Sequence, residues 1–168
     1  MRSMILGGLF TAALACVGPE RALPSDPLVW NGGAPAPYAQ ALVERTLARH
    51  PDLRILAFHV TPPGRAENMI VASNIGRIGK VADGDDLQVI QSGASRTEQT
   101  KTGYSVELVL FDASHRPVGA LGTTFAYTPG EDVAEIVRRA AAVRDELAAQ
   151  IPDLASLFAS MAPAGGGS

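Results

Sequence analysis

The sequence predicts an α+β domain: one antiparallel sheet of about five strands, with long N- and C-terminal helices packed on one face. Three observations support this fold class. Apolar residues recur at helical spacing in 38–49 and 133–151. Short apolar segments between them are bounded by glycine and proline turns, and a polar segment rich in Thr and Ser is typical of an edge strand. The strands are predicted at 53–61, 68–73, 95–102, 104–112 and 118–127.

Length and composition fit a single domain. The chain has 168 residues, of which 46% are hydrophobic and 18% are charged, and this is enough apolar material for one core. The formal net charge is -3, which gives no electrostatic reason to expect binding to nucleic acid. We therefore expect no nucleic-acid partner.

The first 16 residues have the composition of a secretory signal peptide. Arg2 supplies a positive charge, and residues 4–15 form an apolar segment too short to span a bilayer. Ala13 and Ala15 supply the small residues that precede a cleavage site. We therefore expect an exported, periplasmic protein, either soluble or lipid-anchored.

Cys16 is the only cysteine. The segment Ala13-Leu14-Ala15-Cys16 resembles the lipobox of bacterial lipoproteins, in which the cysteine is lipidated. Two outcomes stay open, lipidation of Cys16 or its removal with the signal peptide. In either case the domain has no internal disulfide, so its stability must come from the core, and the lipid anchor would be its contact with a membrane.

Three further segments complete the predicted organisation. Residues 17–37 form a Pro/Gly-rich linker, 38–160 form the domain, and 161–168 form a disordered tail that ends in Gly-Gly-Gly-Ser. Trp30 is the one large aromatic side chain of the linker. It is expected to pack onto the domain, and the alternative is exposure to a partner protein.

Acidic residues mark the start of a short helix at 87–91. Asp83, Asp85 and Asp86 precede it, and Gly93 can end it. A calcium loop is the alternative, but the spacing differs from the EF-hand register and the closing glutamate is missing. Helix capping is therefore the better explanation.

The long C-terminal helix is predicted to begin at 128–131, Thr-Pro-Gly-Glu. Thr128 suits the N-cap, Pro129 the first helical position, and Glu131 the return bond of a capping box. Farther along, Glu135 and Arg139 are spaced to form an ion pair on the exposed side of the helix.

The segment 74–80 is a polar loop with two glycines between an apolar strand and the short helix. Its backbone amides, together with Arg77 and Lys80, could bind an anion or a small polar molecule. The alternative is a solvated loop whose glycines only permit the turn. It is no P-loop, because the spacing to Lys80 is wrong and no Ser or Thr follows.

These segments resemble a single Cache domain, an extracytoplasmic relative of PAS domains. The resemblance rests on 71–80, Val-Ala-Ser-Asn-Ile-Gly-Arg-Ile-Gly-Lys, on 106–112 with the following Pro-Val-Gly-Ala-Leu at 117–121, and on the long helix. It covers 38–151. Cache domains usually lie between two membrane helices and act on an output domain. No second apolar span is found here, so the resemblance is to the stand-alone periplasmic form and implies a ligand pocket between the sheet and residues 74–91.

Polar residues on or beside the apolar strands are the candidates for this pocket. His59 lies between Phe58 and Val60, where a satisfied core histidine is the commoner outcome and a ligand to haem or metal is the alternative. Glu107 would need a partner if it faces inward, because an unpaired buried carboxylate is costly. The predicted ligand-binding residues are His59, Asn74, Arg77, Tyr104, Glu107 and Thr123.

Catalytic and metal motifs are not found. The sequence has neither a Gly-x-Ser-x-Gly elbow nor a usable cysteine, and no carboxylate pair suggests acid–base catalysis. The histidines share no zinc spacing. We therefore expect a protein that is not an enzyme and carries no cofactor. The primary hypothesis is a periplasmic small-molecule sensor domain. The alternatives are an envelope accessory protein that binds a transporter or receptor through 18–37, and a haem or metal carrier through His59.

Overall fold

The structure, a computed structural model, describes residues 30–160. The predicted signal peptide, Cys16, the linker up to residue 29 and the tail at 161–168 lie outside the described residues. The elements are α1 (Pro37–Arg49), β1 (Leu53–Val60), β2 (Met69–Ser73), α2 (Gly84–Ser92), β3 (Arg96–Gln99), β4 (Tyr104–Phe111), β5 (Pro117–Phe125), α3 (Val133–Ala148) and a short 3₁₀ helix (Ala155–Phe158).

The five strands form one antiparallel sheet in the order β2-β1-β5-β4-β3. The predicted α+β class and single antiparallel sheet are therefore confirmed. The prediction of long N- and C-terminal helices is not borne out in that form. Helix α1 has 13 residues and begins at Pro37, the chain before Trp30 is not described, and α3 ends at Ala148, before the short 3₁₀ helix.

The hydrophobic core lies between α1, α3 and one face of the sheet. Side chains alternate between the two faces of a strand, and in β1 this gives Leu56, Phe58 and Val60 to the core. Helix α1 contributes Leu42 and Val43. Helix α3 buries one side, because its buried residues recur at helical spacing. They include Ile136, Ala140, Val143 and Leu147.

Trp30 packs onto this core, as the sequence predicts. It is 6% exposed, and its ring meets that of Phe158 edge to face with centroids 6.1 Å apart. Its indole Nε1 donates a hydrogen bond to the Ala34 carbonyl oxygen at 2.9 Å, so the polar group of the ring is satisfied. The side chain is therefore not displayed for a partner protein.

The start of α3 differs from the prediction. The N-cap is Asp132, whose side chain accepts a hydrogen bond from the Ala134 amide at 2.9 Å. Glu131 does reach back to the Thr128 amide, at 2.8 Å, but this bond closes a turn. Gly130, with φ at 100°, has left-handed backbone geometry that an α-helix cannot contain.

The predicted Glu135–Arg139 pair is also wrong. Glu135 pairs with Arg138, with 2.6 Å between Oε2 and Nη2. Arg139 turns toward the sheet, where its Nη1 lies 2.5 Å from Oδ2 of Asp52 and its guanidinium stacks over the Phe125 ring. Side chains three or four residues apart can both meet on a helix. Here Glu135 pairs with the residue three positions on, because Arg139 pairs with Asp52 in the segment before β1.

Among residues 30–160, none of the helices is both long enough and apolar enough to cross a bilayer.

Candidate functional site

A cavity of about 240 Å³ lies on the sheet face opposite α1 and α3. It is bounded by four strands of the sheet, β1, β2, β4 and β5, and by the loop after β2, the start of α2 and the β3–β4 turn. Larger surface depressions exist, including one of about 480 Å³ at the β3–β4 turn, but that one is lined by no carboxylate. The 240 Å³ cavity brings acidic, basic and hydroxyl side chains together, so we describe it as the candidate site.

Helix α2 is held at the cavity by a capping box at its first turn. The Asp83 side chain accepts from the amides of Asp85 and Asp86, at 3.2 and 3.4 Å, and Asp86 Oδ2 accepts from the Asp83 amide at 3.2 Å. Gly93 ends the helix with φ at 71°. The acidic residues therefore cap a helix, as the sequence predicts, and two of them also line the cavity.

The loop after β2 folds back along that strand and brings two basic side chains to the cavity. The Gly79 amide donates to the Ile70 carbonyl oxygen, and the Ile70 amide donates to that of Lys80, each at 2.9 Å. Arg77 has φ at 62°, a conformation that costs a non-glycine residue about 1 kcal/mol or more. Both Arg77 and Lys80 line the cavity as a result.

His59 and Asp86 connect β1 to α2 at the cavity wall. His59 Nδ1 lies 3.0 Å from Asp86 Oδ2, and the two side chains are 12% and 4% exposed. Burial raises the pKa of the Asp86 carboxyl, but the contact with His59 and the bond from the Asp83 amide outweigh burial and hold this pKa below its usual value. Asp86 is therefore a carboxylate at neutral pH.

Two buried polar atoms of the cavity lack a well-oriented hydrogen bond among residues 30–160: His59 Nδ1, despite its contact with Asp86, and one oxygen of Glu107 on β4. The Oε2 atom of Glu107 is buried and has no hydrogen-bond partner in that part of the chain. Burial raises the pKa of this carboxyl, and the negative charge of Asp86 raises it further. The expectation that an inward Glu107 would be paired is therefore wrong for Oε2.

Three of the six predicted ligand-binding residues come together. His59, Arg77 and Glu107 all line the cavity, although they come from β1, the loop and β4. The other three, Asn74, Tyr104 and Thr123, are not in its lining.

Tyr104 and Thr123 point to the opposite face of the sheet. Thr123 is 1% exposed and its Oγ1 donates to the Val106 carbonyl oxygen at 2.7 Å. Tyr104 packs beside Tyr127, with ring centroids 5.2 Å apart. Side chains alternate along a strand, so Tyr104 cannot share a face with Glu107, three positions away. This parity was available in the sequence for β4, where it predicts Ser105 instead. The choice of Thr124 over Thr123 requires the register of β5 against β4.

Asn74 stabilises the sheet. Its Nδ2 donates to the Arg54 carbonyl oxygen at 2.8 Å, and its Oδ1 accepts from the Leu56 amide at 3.0 Å. The side chain therefore completes the hydrogen bonds of β1 beyond the end of β2. An asparagine after a strand gives no sequence signal that separates this role from ligand binding.

Several polar residues of the cavity were not among the predicted ligand-binding residues. Alternation from Glu107 would have found Ser105 on β4, but the side chains from the loop, the start of α2 and the β3–β4 turn depend on tertiary contacts. These missed residues are Lys80, Asp83, Asp86, Thr100, Thr102, Ser105 and Thr124. Within residues 30–160, no group of three or more His, Cys, Asp or Glu side chains is arranged to hold a metal ion.

Comparison with known proteins gives a distant structural likeness to a reductase. No protein-family model matches the chain, and no curated protein does. Among solved structures, the type II free methionine-R-sulfoxide reductase from Thermoplasma acidophilum aligns with a TM-score of 0.48 and 12% identity, over 72% of this chain and 92% of that one. The expectation that the chain is not an enzyme is withdrawn, because the protein it aligns with is an enzyme. At this similarity the alignment carries no activity over to this chain.

Proposed function

We propose that this chain is a small-molecule-binding domain of sensor type, with its ligand pocket between the sheet and residues 74–91. The observation that supports the proposal is the cavity on the sheet face opposite the core, where side chains from seven segments of the chain converge. A concave site with a few convergent polar groups and perturbed pKa values is the usual form of a ligand site.

The cavity's size and lining indicate the kind of ligand. At about 240 Å³ it lies below the roughly 300–1,000 Å³ of pockets for drug-sized molecules, so the ligand is small. Ile55, Ala57 and Ile70 offer an apolar wall, whereas Ser105 and Thr124 offer hydroxyl groups. A short carbon skeleton with one or two polar groups fits this combination.

The biological setting is part of the proposal and rests on the sequence. The signal-peptide pattern at 1–16 favours export to the periplasm, and the lipobox-like segment ending at Cys16 favours a lipid anchor as one form of the protein. The resemblance to single Cache domains favours a PAS/Cache-like arrangement of the helices and sheet, and a sensor that passes its state to an envelope protein partner. The docking and haem-carrier alternatives gain no support from residues 30–160.

A thermal-shift screen of the full chain tests the proposal. The panel contains organic acids, amino acids, amines, purines and haem. A ligand at 100 times its dissociation constant stabilises the folded state by about 2.7 kcal/mol, which raises the melting temperature on the order of 5–10 °C. For a hit that carries a carboxylate or another hydrogen-bond acceptor, Arg77→Ala should weaken binding, whereas Arg54→Ala is the matched control, because Arg54 lies on β1 but outside the cavity.

Two results would count against this function. A screen without any hit across all chemical classes would remove its support. A hit whose affinity is unchanged in both Arg77→Ala and His59→Ala would show that the ligand binds elsewhere on the protein.

A further inference from the structure

The three carboxylates of the cavity differ in how the protein satisfies them. Asp83 accepts from the amides of the first turn of α2. Asp86 accepts from the Asp83 amide and contacts His59. Glu107 has no such partner for its buried Oε2 atom within the described part of the chain, and a buried carboxylate oxygen without a donor is costly.

Two basic side chains near Glu107, Arg96 and Lys80, make their close contacts with other carboxylates. Arg96 is directly opposite Glu107 across β3 and β4, yet its guanidinium pairs with Asp85 at 2.9 Å and Glu98 at 3.7 Å. Lys80 pairs with Asp83 at 3.7 Å. Arg77 also lines the cavity, but within the described part of the chain no basic side chain forms an ion pair with the Glu107 carboxylate.

The register of the sheet leaves the Glu107 carboxylate uncovered on its other side. Its partner on β5 is Gly122, which has no side chain. A Cβ atom at Gly122 would lie 3.6 Å from His59 Nε2, in the space between the histidine and the glutamate strand. A glycine at this position keeps that space available to a ligand.

We propose that the ligand of this pocket carries a protonated nitrogen, a primary ammonium or a guanidinium, that binds the Glu107 carboxylate. This inference rests on the proposed function, since it names the ligand class of the same pocket. The nitrogen donates to the Glu107 carboxylate from the cavity side, and the hydroxyls of Ser105 and Thr124 on the same face accept from its remaining N–H groups. The carbon skeleton lies against Ile55, Ala57 and Ile70.

Binding of such a cation is linked to protons. Burial, Asp86 and Asp83 raise the pKa of Glu107, whereas Arg96 and His59 lower it; Arg77 and Lys80 are the basic side chains of the loop that also line the cavity. A bound cation favours the carboxylate form. Binding therefore releases a proton where Glu107 is partly protonated, and affinity rises with pH across the same range.

Calorimetric titration of the full chain with three four-carbon probes tests the ligand class. Butylamine carries only the ammonium, butyrate only the carboxylate, and 2-aminobutyrate both. We expect binding of the two nitrogen-containing probes and none of butyrate at the same concentration. Whether butylamine or 2-aminobutyrate binds more tightly separates a simple amine from an amino acid. Buffers with different ionisation enthalpies report the released proton.

Glu107→Gln and a matched control test whether Glu107 is the residue that binds the ligand nitrogen. The amide keeps the shape of the carboxyl but removes its charge, and we expect at least a tenfold loss of affinity for the nitrogen-containing probes and no proton release. Glu98→Gln makes the same change of charge on an exposed residue of β3 outside the cavity and should leave affinity unchanged. The melting temperature of each variant shows that it is folded.

The outcomes separate this inference from the proposed function. Binding of butyrate as tight as that of butylamine, or equal affinity in Glu107→Gln, would overturn the inference and leave the function standing. A ligand from the broad screen that lacks a protonated nitrogen would do the same. If neither the probes nor the screen yields a ligand, both fail.

Discussion

At the scale of single residues, the two faces of the sheet explain which predicted residues line the cavity. His59 and Glu107 were predicted because each is a polar residue in an apolar strand, and each lines the cavity. The same criterion selected Tyr104 and Thr123, which belong to the core face. Counting strand positions from Glu107 excludes Tyr104. The face of Thr123 depends on the register of β5 against β4, and the contribution of Asp86 depends on where α2 packs on the sheet.

Replacing Glu107 by glutamine should stabilise the protein at neutral pH. The pKa of Glu107 is raised above the ordinary 4.5, so the folded state binds its proton more tightly than the unfolded state does. The free energy of unfolding therefore falls as the pH rises from 4.5 toward the raised pKa. We expect Glu107→Gln to remove this loss and to gain about 1 kcal/mol at pH 7, measured by urea unfolding at pH 4 and pH 7.

The control for the expected gain in stability of Glu107→Gln is again Glu98→Gln. Glu98 is exposed to solvent, so this substitution should alter the free energy of unfolding by less than about 0.5 kcal/mol at both pH values. A Glu107→Gln variant that is less stable than the wild type at pH 7 would mean that the carboxylate has a partner in the protein.

Gly119 allows the close approach of β5 to its neighbouring strand β1. A Cβ atom there would lie 2.2 Å from the His59 carbonyl oxygen, so the strands must separate to accept it. Gly119→Ala should lower the free energy of unfolding by about 1–3 kcal/mol. Gly84→Ala is the matched control, because a Cβ atom at Gly84 has no heavy atom within 4 Å; it should be neutral or slightly stabilising at the start of α2. Equal effects in chemical unfolding would contradict the predicted crowding.

At the scale of elements, the sequence predicts the sheet well and one helix boundary badly. The strands are found because turns and apolar runs alternate along the chain. The end of α2 follows from Gly93, but the helix begins at Gly84, three residues before the predicted start at 87, because Asp83 is its N-cap. For α3, two capping signals lie close together. The Thr128 signal matches a capping box in sequence, but the left-handed geometry of Gly130 makes it a turn, and Asp132 becomes the cap.

Two substitutions separate these alternatives for the start of α3. Asp132→Ala removes the side chain that accepts from the Ala134 amide and should cost about 1 kcal/mol. Thr128→Ala should change the free energy of unfolding by less than about 0.5 kcal/mol. Both are measured by thermal unfolding under the same conditions, and a larger loss in Thr128→Ala would indicate that the helix begins four residues earlier.

At the scale of the whole molecule, long-range contacts join the ends of the described chain. Tyr38 on α1 donates a hydrogen bond to the Gln150 carbonyl oxygen at 2.7 Å. Glu146 on α3 contacts both Arg49 and His50 at the end of α1. Trp30 packs against Phe158. No local sequence pattern predicts these pairs, because their partners are far apart in the chain.

Trp30 should report the unfolding of the entire domain. It is the only tryptophan in the sequence, so intrinsic fluorescence excited at the indole band observes this residue alone. Because its ring is buried in the same core as α1 and α3, we expect the fluorescence transition in urea to coincide with the loss of helical circular dichroism. A fluorescence change at clearly lower urea would show that the segment around Trp30 detaches before the domain unfolds.

The alternation of side chains across the sheet also has a consequence for how this protein can change. The residues that form the core and the residues that line the cavity lie on the same strands, but no residue belongs to both sets. Substitutions at Ile55, Ser105 or Thr124 therefore change the chemistry of the pocket while the packing on the other side of the sheet is retained. The ligand preference of this fold can therefore change through its cavity-facing side chains, while the core-facing side chains of the same strands keep the domain stable.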